Sequence, residues 1–258
     1  MQYFVNVTLA NIYRKPTFHC EVDTQAVLWE KLEMLEKIDS FLRVQTEDHY
    51  EGWINEHQVE VCPQPDAEFK MVNALFQAIY EKPDTSSEVI RWACAGAKLP
   101  VVSEQRGWFK VLLPDGQQGF IKNEAFVSMP HFVRKELVQT ARKFLSVPYV
   151  WGGKTPYGLD CSGLVQLSCK LLSKNVRRDA WMQFEDSKPV SKDPAAAREG
   201  DFYFFSENGE SITHVAIALG DKRFIHARGM VRINSLNEDA ADFSPELLRN
   251  FVEVRSLF

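Results

Sequence analysis

Apolar positions after residue 160 recur at the three- and four-residue spacing of an α-helix. Five leucine and valine side chains carry this spacing: Leu164, Val165, Leu167, Leu171 and Leu172. The pattern predicts a helix that runs to about residue 172. Asp160 stands just before it, and aspartate is a favoured N-cap residue. The helix is therefore expected to follow directly on the Gly- and Pro-rich stretch that precedes Asp160.

A second apolar stripe predicts another helix at about residues 132–145, which Pro148 ends. The stripe consists of Val133, Leu137, Ala141, Phe144 and Leu145. Further along, two apolar and strand-prone runs flank the turn signal Gly220-Asp221-Lys222. These runs predict a β-hairpin in which His214 and His226 come nearly opposite each other.

The part of the chain before Pro130 contains an internal repeat, in which all matching positions are separated by the same constant offset. Ile12-Tyr13-Arg14-Lys15-Pro16 matches Ile79-Tyr80-Glu81-Lys82-Pro83, and Gly52-Trp53-Ile54 matches Gly119-Phe120-Ile121. Short strand-prone runs separated by turn residues predict a small β-barrel in each copy.

Three further features of this region carry predictions. Boundaries are expected near residues 63–65 and near Met129 and Pro130, where prolines occur. The Leu- and Glu-rich segment from Ala26 to Glu36 is interpreted as a helical insertion in the first copy.

Composition narrows the class of protein. The chain has 258 residues, 45% of them hydrophobic and 25% charged, which is typical of a soluble globular protein with two or three modest domains. A net charge of −5 argues against nucleic acid or an anionic membrane surface as the main partner. No run reaches the ~18 apolar residues of a membrane span. The first residues resemble a strand and not a leader peptide, so a cytoplasmic location is expected unless a leader was removed.

The five cysteines lack the spacing of a disulfide framework or a zinc site. Cys20, Cys62, Cys94 and Cys169 are expected to be small core side chains. Cys161 differs because it falls in the first turn of the predicted helix, where the helix dipole favours a thiolate. On the helix start alone, a buried structural cysteine beside an ordinary cap explains the pattern equally well. Paired His214 and His226 shift the balance towards a nucleophile with a base and an orienting group.

These residues carry a resemblance to a known family. Asp160-Cys161-Ser162-Gly163-Leu164, Tyr149 twelve residues before the cysteine, and Thr213-His214-Val215 with a second histidine twelve residues on resemble the NlpC/P60 family of papain-like cysteine peptidases. The similarity spans about residues 132–258. The Gly-Trp-Ile and Gly-Phe-Ile endings make the two repeats similar to bacterial SH3 domains.

The resemblance implies an α+β protein in which two small SH3-like β-barrels precede a papain-like NlpC/P60 catalytic domain. The expected ranges are 1–64 and 68–129 for the barrels and 131–258 for the catalytic domain. It implies that Cys161 attacks an amide, that His214 exchanges protons with it, and that His226 orients His214. The N–H of Cys161 is expected to stabilise the oxyanion, aided by the Tyr149 hydroxyl. No cofactor or metal is expected.

Substrate class follows from the resemblance alone. Similar enzymes are γ-D-glutamyl-L-diamino acid endopeptidases, which cut peptidoglycan stem peptides of the L-Ala-γ-D-Glu-DAP type and require a free N-terminal L-Ala. The substrate-binding residues that this implies lie in both parts of the chain: Asp160, Ser162, Arg178, Asp179, Gln183, Tyr50 and Glu51. Ala180 stands where such enzymes often have serine.

A cytoplasmic monomer that recycles cell-wall peptides, with meso-DAP or Lys as the diamino acid, is the leading hypothesis. Three alternatives remain open at this stage. One is an exported wall hydrolase tethered by its SH3-like domains, and another is a peptidoglycan-binding protein with an inactive peptidase domain. The third is amidase or acyl-transfer chemistry by the same residues.

Overall fold

The computed structural model describes residues 2–126 and 131–258. The chain divides into two compact units, Met1–Ser128 and Met129–Phe258. No helix within the described residues is long and apolar enough to cross a membrane. The predicted boundary near Met129 and Pro130 lies outside the described residues, and the three domain ranges stay predictions.

The first unit consists of two copies of one strand arrangement. The first copy contains β1 (Gln2–Val5), β2 (Leu9–Tyr13), β3 (Val22–Val27), β4 (Lys31–Ile38), β5 (Phe41–Gln45), β6 (Glu51–Asn55) and β7 (Val59–Cys62). The second contains β8 (Glu68–Met71), β9 (Phe76–Tyr80), β10 (Val89–Cys94), β11 (Lys98–Gln105), β12 (Trp108–Leu112) and β13 (Gln118–Lys122). We call these copies the first and second repeat.

The predicted constant offset is confirmed strand by strand. The first and last residues of β2 to β6 are separated from those of β9 to β13 by the same offset that separates Ile12 from Ile79, and a short 3₁₀ turn follows at 56–58 and at 123–125. The sheet orders also agree: β3-β2-β6-β5-β4-β1 in the first repeat, extended by β7, and β10-β9-β13-β12-β11-β8 in the second. The repeated glycine has a steric reason. A Cβ on Gly52 would lie 2.4 Å from Ile12 Cγ2, and one on Gly119 would lie 2.5 Å from Ile79 Cγ2.

The predicted helical insertion at residues 26–36 is wrong. This segment holds the end of β3, a turn and the start of β4, which pairs antiparallel with β5. Its glutamates and leucines suggested a helix by composition, but the cross-strand pairing overrides that local preference. The turn between the strands buries Leu28 and Trp29.

The two repeats share an apolar core. Phe4, Val27, Leu28 and Trp29 of the first repeat belong to the same cluster as most of the buried side chains of the second. The indole Nε1–H of Trp29 also donates a hydrogen bond to the carbonyl of Leu112, at 2.7 Å. These contacts explain why the repeats form one compact unit.

The second unit is built on one antiparallel sheet with helices packed against it. Its helices are α1 (Arg134–Arg142), α2 (Cys161–Lys170), α3 (Ala180–Asp186) and α4 (Pro245–Asn250). Two short strands, β14 (Lys154–Thr155) and β15 (Gly158–Leu159), form a small hairpin before α2. The sheet has the order β16-β21-β17-β18-β19-β20. Its strands are β16 (Lys188–Ser191), β17 (Phe202–Phe205), β18 (His214–Gly220), β19 (Arg223–Arg228), β20 (Met230–Ser235) and β21 (Phe251–Ser256). Helix α2 packs against β18 and β19.

Several sequence predictions for this unit need correction. Helix α1 ends at Arg142, before Leu145 and well before Pro148. Leu137, Ala141 and Phe144 are buried as predicted, whereas Val133 and Leu145 are exposed. Val133 has extended backbone geometry at the N-cap, so it does not share the helical face.

The predicted core role of the remaining cysteines holds for two of four. Cys94 and Cys169 are buried, whereas Cys20 and Cys62 are half-buried. Cys20 lies in the connection between β2 and β3, where its Sγ is 3.3 Å from the carbonyl oxygen of Thr17. It thus interacts with local backbone instead of filling a core.

Candidate active site

Cys161 is the first residue of α2, as predicted. Asp160 is the N-cap, and its Oδ1 accepts a hydrogen bond from the N–H of Gly163 at 2.7 Å. The N–H of Cys161 belongs to the first turn, whose N–H groups have no acceptor within the helix. Gly163 lets the helix start approach the preceding loop, because a Cβ there would lie 2.1 Å from the carbonyl oxygen of Gly153. The loop therefore presses directly on the turn that carries the cysteine.

A buried ion pair holds the cap in place. Arg178 is 1% exposed, and its guanidinium donates to Asp160 Oδ1 at 3.0 Å and Oδ2 at 2.5 Å. Arg178 also donates to the Ser162 hydroxyl at 2.9 Å, and the N–H of Gly152 donates to Asp160 Oδ2 at 3.1 Å. This pairing gives Asp160, Arg178 and Ser162 a structural function around the cysteine. Their predicted contacts with substrate stay predictions.

The predicted histidine pair is present on the β18–β19 hairpin. His214 Nε2 lies 2.8 Å from His226 Nδ1, and both rings are buried. The strand register pairs Ile217 with Ile225, which places His226 across from Ala216. His214 is therefore a diagonal neighbour of His226, two residues away from the directly opposite position. The contact is made because both side chains lie on the same face of the sheet.

Cys161 lies against this hairpin. The backbone N–H of Val215, next to His214, donates to the Cys161 sulfur, as does the N–H of Ser162. The structure thus brings together the helix start and the histidine pair. It also places Tyr149 within electrostatic reach of Cys161. The catalytic functions assigned to these residues stay predictions.

Sequence reasoning missed Asn234 of β20. His226 Nε2 lies 3.0 Å from Asn234 Oδ1, and the Asn234 amide nitrogen donates to the carbonyl of Asp242 at 2.9 Å. A signal was present in the sequence, because Val231 and Ile233 alternate with polar Arg232 and Asn234 in a strand that follows His226. The three side chains His214, His226 and Asn234 form a continuous hydrogen-bonded row.

Burial dominates the electrostatics of the site. It raises the pKa of Cys161 to about 12, with a further contribution from the Asp160 carboxylate, and this outweighs the N–H groups of Val215 and Ser162. Burial also lowers the pKa of His214, aided by His226 and Arg228, and lowers the pKa of His226 to about 4. The preference of the helix start for a thiolate is therefore outweighed by burial in the resting site. A neutral thiol and a neutral imidazole are favoured instead.

The remaining predicted residues have varied surroundings. Gln183 is buried and donates to the carbonyls of Ser162 and Arg177, at 3.0 and 2.9 Å, so it braces the loop around Cys161. Asp179 is the N-cap residue of α3, although its side chain makes no capping hydrogen bond. Burial, followed by the charges of Cys161 and Asp160, raises the pKa of the half-buried Tyr149.

Tyr50 and Glu51 lie in the first unit. Glu51 is exposed and pairs with Arg43 at 2.8 Å, and the carbonyl of Tyr50 accepts from Thr46. Their contact with a substrate stays a prediction. Across the part of the chain that the structure describes, no cluster of three or more His, Cys, Asp or Glu side chains is arranged to hold a metal ion.

Three segments of the chain match known families. Residues 146–244 match the NlpC/P60 family, residues 74–127 match the bacterial SH3 domain, and residues 12–59 match the bacterial dipeptidyl-peptidase SH3 domain.

Among curated relatives, dipeptidyl-peptidase 6 of Lysinibacillus sphaericus is 26% identical, and the match covers all of both chains. The γ-D-glutamyl-L-lysine dipeptidyl-peptidases of Bacillus cereus and Bacillus subtilis are each 27% identical. Their matches cover 80% and 69% of this chain, which spans 67% and 60% of their lengths. The crystal structure of a Bacillus cereus NlpC/P60 family protein superposes with a TM-score of 0.86 at 22% identity, covering 99% of both chains. That likeness concerns the fold.

Proposed function

Residues 146–244 belong to the NlpC/P60 family of cysteine peptidases and follow two bacterial SH3 domains, and on this premise we propose a specific reaction. The protein hydrolyses the bond between γ-D-Glu and a diamino acid, meso-DAP or Lys, in peptidoglycan stem peptides. Curated relatives named for γ-D-glutamyl-L-lysine dipeptidyl-peptidase activity support this choice of bond.

The observation that carries the proposal is the burial of Cys161 beside the hydrogen-bonded pair His214 and His226. His214 takes the thiol proton as sulfur attacks the carbonyl carbon, and later gives that proton to the leaving amine. The N–H of Cys161 stabilises the oxyanion, and the Tyr149 hydroxyl assists it. Water then hydrolyses the thioester and releases the shortened peptide.

Recognition of a free N-terminal L-Ala is part of the same proposal. An ammonium group needs a carboxylate partner when it leaves water. Asp160 is charge-balanced by Arg178, and Glu51 pairs with Arg43. Asp160 therefore contributes mainly through its fixed position next to Cys161, and the carboxylates proposed to bind the amine are Asp179 and Glu51, whose ion pair with Arg43 is exposed to solvent. We further propose that the enzyme is a cytoplasmic monomer that recycles released wall peptides.

The experiment compares four peptides with the purified chain: L-Ala-γ-D-Glu-meso-DAP, its L-Lys counterpart, and the N-acetylated form of each. Products are followed by mass spectrometry. Cleavage of the free-amine peptides between D-Glu and the diamino acid is expected, with little cleavage of the acetylated forms. The ratio of the two free-amine rates gives the preferred diamino acid.

Two cysteine variants provide the control. Cys161→Ala is expected to abolish cleavage, whereas Cys169→Ala, which changes a buried cysteine in the same helix, retains it. Equal cleavage of acetylated and free peptides, or hydrolysis of intact sacculi, favours the exported wall hydrolase. Absence of cleavage in every case, with binding to sacculi retained, favours the peptidoglycan-binding protein.

A further inference from the structure

We propose that Asn234 is a positioning residue that sets which ring nitrogens of His226 and His214 carry protons, so that His214 presents an unprotonated Nδ1 to Cys161. The inference rests on the cysteine-peptidase chemistry proposed above. It concerns a residue outside the motifs that define the site.

The orientation of the Asn234 amide is fixed by its second partner. The carbonyl oxygen of Asp242 can only accept a hydrogen bond, so the Asn234 NH₂ group must face it, at 2.9 Å. The amide oxygen therefore faces His226, at 3.0 Å from Nε2. Because an amide oxygen cannot donate, His226 must carry a proton on Nε2.

The proton on His226 then determines the state of His214. A neutral His226 with its proton on Nε2 has a lone pair on Nδ1. His214 Nε2 lies 2.8 Å from that atom, so it must donate its own N–H. A neutral His214 with its proton on Nε2 has its lone pair on Nδ1, which is the position required of a base.

The surroundings favour neutral rings. His226 is fully buried, and His214 is 7% exposed. The charged groups that act on them are Arg228 and Arg232, both cations, and aromatic rings of Phe205 and Phe224 lie against the pair. A second proton on either ring would add positive charge beside two arginines in a poorly solvated site. Each ring therefore carries one proton, and Asn234, at one end of the row, determines that this proton is on Nε2.

The consequence for the reaction is a defined proton path. The S–H bond of Cys161 breaks as an N–H bond forms at His214 Nδ1, and the sulfur electron pair forms the bond to the carbonyl carbon. When the C–N bond breaks, the leaving nitrogen takes the proton from Nδ1. Throughout these steps, His214 Nε2–H continues to donate to His226, which stabilises the transient imidazolium.

Two substitutions test this function. Asn234→Leu and Asn234→Asp both remove the N–H donor to Asp242, so any loss caused by that contact is common to both. Only Asp retains an oxygen that accepts from His226. We expect Asn234→Leu to lower kcat by roughly 100-fold with little change in KM. Asn234→Asp is expected to keep kcat within a few-fold, and its carboxylate is expected to move the acid limb of the kcat/KM profile to higher pH.

A measurement without substrate separates this inference from the proposed function. In protein labelled with ¹⁵N-histidine, long-range ¹H–¹⁵N correlations report which ring nitrogen is protonated. We expect Nε2–H on both His226 and His214 in the wild type and in Asn234→Asp, and a mixture of tautomers in Asn234→Leu. If no peptide is cleaved, the tautomers still decide the inference. A proton on His226 Nδ1, or equal loss of kcat in both variants with unchanged tautomers, would overturn it.

Discussion

Cys161 combines a helix start with nearly complete burial, and the two features oppose each other. The helix N-terminus and two N–H groups favour a thiolate, whereas loss of water and the Asp160 carboxylate favour the thiol. Burial prevails in the resting site. In the proposed reaction, the nucleophile therefore forms at the moment of attack by proton transfer to His214, which is neutral at pH 7 because its own pKa is lowered.

A thiolate titration checks this state. Because burial raises the pKa of Cys161 to about 12, well above the usual value of about 8.5, ultraviolet absorbance is expected to show no Cys161 thiolate at pH 7. The signal should grow only as the pH rises above about 10, toward that pKa. Subtracting the curve of Cys161→Ala removes the contributions of the other four cysteines. A thiolate already present at pH 6 would contradict the expectation.

At the residue scale, the sequence was informative where chemistry depends on residue type and spacing. Cys161, His214 and His226 were recognisable because a helix cap and a hairpin turn place them by local rules. Arg178 and Asn234 depended on tertiary contacts: Arg178 reaches back to Asp160 from beyond the end of α2, and Asn234 meets His226 from a third strand. Neither distance follows from periodicity. The protonation state of Cys161 also required the burial that only the fold supplies.

At the element scale, Gly52 and Gly119 show why both repeats have glycine at the same position of the strand arrangement. Gly52 of β6 lies against Ile12 of β2, and Gly119 of β13 lies against Ile79 of β9. The sequence revealed the match and its offset. The steric reason became visible only in the structure, in which β2 is the neighbour of β6 and β9 is the neighbour of β13.

Substitution of these glycines is expected to destabilise the first unit. In Gly52→Ala and in Gly119→Ala, the new methyl group overlaps the isoleucine, at a cost of about 1–3 kcal/mol in the free energy of unfolding. Urea titration measures the change. The double variant Gly52→Ala/Ile12→Ala is expected to lose less stability than the sum of the two single changes, because the overlap is removed.

Gly107 provides a control of a different kind. It has a φ of +86°, and a Cβ there would meet no atom within 4 Å. Gly107→Ala therefore tests backbone strain without steric overlap.

For the double variant Gly52→Ala/Ile12→Ala, a loss of stability equal to the sum of the two single losses would show that the close approach to Ile12 is not what requires glycine at position 52.

Element type was predictable from the sequence where periodicity was strong, as in α2 and the β18–β19 hairpin. The prediction of a helix was wrong for residues 26–36, where leucine and glutamate favour a helix by composition. Strand β4 is mostly exposed beyond Leu32, so no alternation of buried and exposed positions marked it as a strand. Its pairing with β5 and β1 determines the structure instead.

At the scale of the whole molecule, the two repeats share one apolar core, so we expect them to unfold together. Trp29 is 3% exposed and contacts Phe4 and Phe69, with ring centroids 5.0 and 5.9 Å away. Its hydrogen bond to Leu112 links the repeats directly. The sequence predicted two similar domains, but this fusion could not be seen because it depends on side chains that meet across repeats.

Substitution of Trp29 tests whether the repeats unfold together. Trp29→Ala is expected to lower the free energy of unfolding by about 3–5 kcal/mol. Trp29→Phe keeps part of the ring contact, loses the hydrogen bond, and is expected to cost less. Hydrogen exchange is expected to accelerate in both β5 and β12. Trp92→Ala, at a side chain that is 47% exposed, serves as the control. Faster exchange confined to the first repeat would show that the repeats unfold independently.

The shared core also bears on how such a chain can change over generations. A duplicated module is ordinarily free to be lost or exchanged by recombination, because each copy folds alone. Here a recombination breakpoint between the repeats would expose Trp29 and Leu28 to water in the product that keeps the first repeat. The product that keeps the second repeat would lose part of its apolar core. We therefore expect descendants of this protein either to retain both repeats together or to lose both.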